Sequence, residues 1–89
     1  MKLIVEEVIN NWDPLYLFPY APKDEYKKEI EYITTLFEGT IDIKNIAYGI
    51  KNIFIKSFGS DIFKKDYNEC VTIANEILNK SKSTHLNDL

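Results

Sequence analysis

Apolar residues recur with the 3.6-residue period of a helix in four separate stretches of this chain, and nowhere with the period-two alternation of a strand. In residues 2–11, Ile4, Val5, Val8 and Ile9 fall in one arc that Trp12 extends, while Glu6, Glu7, Asn10 and Asn11 lie outside it or at its edge. Pro14 biases Asp13 away from helical backbone, so this helix is expected to end at Trp12 or just before it. Residues 24–38 predict a second helix with Tyr26, Ile30, Ile33 and Phe37 as its seam and Leu36 beside it. Asp24 is its expected N-cap, with Pro22 at the first helical position as the alternative, and Gly39 its expected left-handed C-cap. Glu25 with Lys28, and Lys27 with Glu31, are spaced as surface ion pairs.

The third predicted helix covers 42–57, started by Asp42 or Thr40 and stopped near Gly59. Ile43, Ile46, Ala47, Ile50, Ile53, Phe54 and Phe58 make its core face. Tyr48 and Ile55 lie off that face, so this helix is apolar on more than one side and is either central or covered by something else. Gly49, at mid-helix, costs about 1 kcal/mol relative to alanine, and a close helix contact is the simplest reason to have it. The fourth helix is expected over 61–80, capped by Ser60 or Asp61, with Phe63, Tyr67, Cys70, Val71, Ala74, Ile77 and Leu78 on a broad apolar face. Periodicity stops after Lys80, and 81–89 reads as a flexible tail. The fold class is therefore all-α: one compact four-helix domain over 1–80, helices joined by short turns except for the first connection.

That connection is a long proline- and aromatic-rich loop between the first two helices. The stretch from Trp12 to Tyr26 holds all three prolines, the only tryptophan and three of the six tyrosines. Leu15, Tyr16, Leu17, Phe18 and Tyr20 are too apolar to be solvated together.

Charge narrows the functions open to such a domain. The net charge is −3. Residues 1–40 carry four lysines against eight acids, and the remainder seven against six. All eleven cations are lysine, so the planar fork used for bidentate phosphate and guanine contacts is missing, and there is no basic stripe; nucleic-acid binding is not expected. The opening apolar run Leu3-Ile4-Val5 is cut off by Glu6-Glu7, and no stretch approaches the roughly 18 apolar residues of a membrane span, so the expectation is a cytoplasmic protein without membrane contact. One cysteine forms no internal disulfide. There is no G-x-G-x-x-G, P-loop or H-E-x-x-H pattern, and neither a cofactor nor a metal nor a catalytic residue is expected.

Several residues invite a functional reading beside a bland one. Trp12 either anchors a partner or plugs the bundle where the first helix stops. Asp13, Asp24 and Glu25 either converge as a carboxylate cluster for a hard cation or acid–base chemistry, or cap and brace backbone. Tyr16, Phe18, Tyr20 and Tyr26 either line a pocket or adhesive patch or form a satellite core under the loop. Tyr48 and Ile55 either form a partner or dimer stripe or lie covered. Cys70 falls on an apolar arc, as an inert buried thiol does, and the lone His85 builds no triad or metal site.

Trp12-Asp13-Pro14 followed by Ala21-Pro22 and Asp24-Glu25-Tyr26 resembles the W-D-P…A-P-x-D-E-Y pattern of the YugE-like bacterial domain of unknown function, and Phe58-Gly59 with the helix carrying Cys70, Ala74 and Ile77 is similar to it as well. The resemblance spans most of residues 3–80. It implies a small all-helical bacterial domain and, for some members, an immunity-type role beside toxin genes. It supplies no catalytic residue. Tyr16 stands where a small residue would be expected after W-D-P. On these grounds the expected function is a non-enzymatic protein-interaction module. A small-ligand protein or minimal enzyme built on the loop carboxylates, and a structural homo-oligomer, are the alternatives.

Overall fold

A computed structural model of the chain describes residues 1–22 and 24–87. Four helices follow in order: α1 (Lys2–Trp12), α2 (Lys27–Gly39), α3 (Ile43–Phe58) and α4 (Tyr67–Asn87). Each helix packs on its neighbours in sequence, and α1 closes onto α4, so the four form a ring around one core. The fold is all-α, as the four periodic stretches predict.

The core follows the predicted seams in α1 to α3, with Ile43, Ile53 and Phe58 only partly buried, while in α4 Ile73, outside the predicted face, is buried and Tyr67, Val71 and Leu78 are only partly so. Val5, Val8 and Ile9 of α1, Ile30, Ile33 and Phe37 of α2, and Ile46, Ala47, Ile50 and Phe54 of α3 are buried, joined by Cys70, Ile73, Ala74 and Ile77 of α4. Tyr26 and Phe63 are buried with them although both stand outside the helices that sequence spacing assigned them to. Gly49 has the predicted reason: a Cβ there would lie 2.6 Å from Leu36 Cδ1, so α2 and α3 approach each other over a missing methyl group.

The helix ends depart from expectation more than the faces do. α2 starts at Lys27, three residues late, with Tyr26 at its N-cap and no side-chain cap; Asp24 instead offers its carbonyl oxygen to the Lys27 amide at 3.1 Å, closing a preceding turn. Gly39 is the last helical residue and is not left-handed; extended Thr40 follows it. Asp42 caps α3 as expected, accepting from the amides of Lys44 and Asn45, and Gly59 ends it at φ 91°. α4 begins at Tyr67, not near Asp61, because Gly59 closes a turn by accepting from Ile62 and Phe63, and Asp66 then caps the helix by accepting from the Glu69 amide at 2.8 Å. Helical backbone continues to Asn87 where an aperiodic tail was expected. Asp88, Leu89 and the side chains from Thr84 onward, His85 included, lie outside the described residues. Among the described residues, no helix is long and apolar enough to cross a membrane.

The expected pairs Glu25–Lys28 and Lys27–Glu31 do not form. Glu31 reaches across to Lys2 at 3.4 Å, and Glu7 meets Lys80 at 2.9 Å, so these exposed ion pairs tie α1 to α2 and α1 to α4.

Candidate functional site

The loop from Asp13 to Tyr26 is built on one carboxylate. Asp13 ends α1 in left-handed backbone (φ 45°), with its amide donating to the Ile9 carbonyl at 2.9 Å. Aspartate tolerates that conformation better than most residues. Its carbonyl accepts from the Tyr16 amide, and its side chain turns back under the loop: Oδ1 accepts from the Leu17 amide at 2.9 Å and the Tyr26 hydroxyl at 2.6 Å, and Oδ2 from the Phe18 amide at 3.0 Å. The Tyr26 hydroxyl in turn accepts from the Leu15 amide at 3.1 Å. Burial alone would raise the Asp13 carboxyl, but the hydrogen bonds from Tyr26, Leu17 and Phe18 outweigh it and hold the group below the usual aspartate range. Burial, and next to it Asp13, push the Tyr26 phenol upward.

This brace puts the loop's aromatic residues on opposite sides. Tyr26 is fully buried and Phe18 packs edge-on against it at 5.6 Å, so both belong to the core side, with half-buried Leu15 and Leu17. Tyr16 and Tyr20 point outward, 77% and 95% exposed. Tyr16 has φ 56°, a region that bulky residues rarely enter. Its hydroxyl accepts from Lys65 Nζ at 3.0 Å, and the same ammonium lies 4.7 Å from the ring centroid. Lys65 also meets Glu69 at 3.7 Å. Glu69 accepts from Trp12 Nε1 at 2.7 Å, so Lys65 and Glu69, at and just before the start of α4, hold the end of α1 and Tyr16.

Trp12 is half-buried and packs edge-on against Phe54 at 5.8 Å and Phe63 at 6.0 Å, the plug geometry of its bland reading. The three loop carboxylates do not converge as a cluster. Asp13 is engaged by the loop, while Asp24 and Glu25 are exposed and line a groove between α2 and α3 that Asp13 does not reach. Among the described residues, no group of three His, Cys, Asp or Glu side chains could hold a metal ion. Tyr48, 56% exposed, stacks on Tyr67 with centroids 4.5 Å apart, and Ile55 packs partly buried against the core; they do not form one continuous exposed stripe. Cys70 is buried, and burial pushes its thiol up to about 11, away from the thiolate that nucleophilic chemistry needs.

The α2–α3 groove encloses about 960 Å³ and has a residue that sequence reasoning passed over. Glu29 lies among its lining residues, only 3% exposed, and its Oε1 has no hydrogen-bond partner among the described residues. The signal was present: Glu29 stands inside the arc made by Tyr26, Ile30, Ile33 and Leu36, where a charge is out of place.

Compared with known proteins, residues 4–85 match the profile of a family described as a domain of unknown function, DUF1871. No curated protein and no solved structure matches the chain.

Proposed function

The chain belongs to the DUF1871 family, and we propose that it is a non-enzymatic protein-interaction module that presents the loop between α1 and α2 to a partner. One observation carries this reading: Tyr16 and Tyr20 stand in solvent on a backbone that Asp13 holds through two amides and the Tyr26 hydroxyl. Exposed tyrosines on a mobile loop would lose entropy on binding, and a braced loop has already lost most of it. Tyrosine supplies large contact area with few rotatable bonds, which is why it is frequent among residues that dominate interfaces. Left-handed backbone at a tyrosine costs on the order of 1–2 kcal/mol, and the strain here aims a ring outward rather than into the core. Asp13, which accepts from the Tyr26 hydroxyl, has both oxygens occupied by the brace, which disfavours the alternative of acid–base chemistry at the loop.

The more specific form we propose is an immunity-type role against a basic partner. It rests on the W-D-P…A-P-x-D-E-Y resemblance and on the acid excess of residues 1–40, a field that would speed encounter with a positive surface. The test is co-expression of the tagged chain with the product of its neighbouring gene, beside the Tyr16→Ala/Tyr20→Ala double variant. The expected result is retention of that product by the parent chain, weakened by salt and lost in the variant, with unchanged circular dichroism. Equal retention by the double variant, or none by the parent at any salt concentration, overturns the reading. Light scattering across concentrations tells a partner-binding monomer from a homo-oligomer.

A further inference from the structure

The groove between α2 and α3 lies on residues the loop reading does not use, and its chemistry points to a different ligand. Among the described residues, Glu29 is the only charged side chain in the core, and none of them supplies a donor to its Oε1, which is cut off from water. A carboxylate oxygen left in that state is costly, and its neighbours do not relieve it: Lys27, Lys28 and Lys56 line the same groove, yet none of them closes an ion pair with Glu29. The surrounding walls are Tyr32, Leu36, Ile53 and Phe58, two aromatic and two aliphatic side chains. Asp24, Glu25 and Glu31 line the groove as well, so with Glu29 its four acids exceed its three lysines by one. A buried acceptor without a donor among the described residues, beside aliphatic and aromatic walls, suits a cationic head on an apolar stem.

We propose that this groove is a binding site for an organic cation, a guanidinium or primary ammonium on an aliphatic stem. To reach it, the Glu29 side chain swings toward the groove opening, where the cationic head donates to its carboxylate and the stem lies along Leu36 and Ile53. A guanidinium fits best, because its paired N–H groups match the two oxygens of a carboxylate. Such a group comes either from an arginine or lysine side chain of another protein or from a free amine. The site stands or fails independently of the loop face.

The test is titration of the isotope-labelled full chain with agmatine and, separately, with a short uncharged peptide carrying one central arginine, following backbone amide shifts. The expected result is saturable shifts confined to residues 28–36 and 53–58. Tighter binding of the peptide identifies a partner side chain as the source, and tighter binding of agmatine a free amine. Propylurea, a neutral analogue of similar shape, is expected to leave these amides unmoved. Glu29→Gln is expected to weaken binding by about tenfold or more, the loss that follows when a charge-assisted hydrogen bond is removed. Glu29→Met, which removes the orphan acceptor altogether, is expected to abolish binding while melting no lower than the parent, so lost binding is not mistaken for lost fold. Absence of saturable shifts with both cations, equal response to propylurea, or undiminished binding by Glu29→Gln overturns the proposal.

Discussion

Two carboxylates define two opposite regions of this small domain. Asp13, in the loop, is half-exposed and accepts from three donors. Glu29, in the α2–α3 groove, is almost wholly buried, and its Oε1 accepts from none of the described residues. Water would readily have satisfied the first, whereas the second most needed a protein partner and lacks one. The contrast separates two uses of a polar group. A saturated carboxylate fixes backbone and stabilises a shape, and an unsaturated buried one weakens the fold and retains unused capacity for an incoming donor.

That contrast breaks most visibly at Asp13. Asp13→Ala leaves the Leu17 and Phe18 amides and the Tyr26 hydroxyl without their acceptor and places alanine in left-handed backbone; urea unfolding is expected to show a loss of about 3–4 kcal/mol. Asp13→Asn keeps an oxygen and the tolerance for that backbone, and is expected to lose about 1–2 kcal/mol. Tyr26→Phe removes one hydroxyl that both donates to Asp13 and accepts from Leu15, for an expected loss of about 1–2 kcal/mol in the same measurement.

Glu29→Met tests the other side and carries the opposite sign. Replacing the orphan carboxylate by an apolar side chain of similar length is expected to raise stability by about 1–2 kcal/mol. A measured loss of that size would mean that Glu29 finds a partner in solution and would erase the contrast. Acid titration sharpens it further. The folded chain holds the Asp13 carboxyl below its ordinary 3.8. Its contribution is therefore complete above that value and is lost as pH falls from about there through the folded value. Asp13→Asn is expected to flatten that part of the acid limb of stability. The smallest effect is expected at Gly49→Ala. The added methyl pushes the end of Leu36, a half-buried side chain on the groove wall, while the helix gains propensity. The net change is expected within about 0.5 kcal/mol, with the groove narrowed and its response to agmatine reduced.

Much of the fold was legible because apolar arcs are dictated by burial, and the arcs through Val5–Ile9, Ile30–Phe37 and Ile46–Phe54 are the core. Helix ends were less legible because several residues near each end can cap, and geometry chooses among them. Ser60 and Asp61 suit a cap by type, but Gly59 draws the chain into a turn first, and Asp66 takes the role. Asp13 was legible as a bracing residue; that it would also bind Tyr26, thirteen positions away, was not, because the contact depends on how α2 approaches α1. Glu29 was less legible, because a single acid in an apolar arc can turn its carboxylate out to solvent, and only the packing of α2 decides that it does not. Gly49 signals a close contact, but that Leu36 of α2 is what it meets depends on how the two helices pack.

The closure of α1 onto α4 has a consequence for how the chain is made. The links across that seam are among the most distant in sequence: Trp12 to Glu69 spans 57 residues and Glu7 to Lys80 spans 73. The other packed pairs, α1 with α2, α2 with α3 and α3 with α4, join consecutive segments. During synthesis at about 5–20 residues per second, α1 therefore waits several seconds with one apolar flank open until α4 leaves the ribosome. Of the four helices, α1 is made before the others yet covered last, and a nascent chain stalled before α4 would present that flank to chaperones.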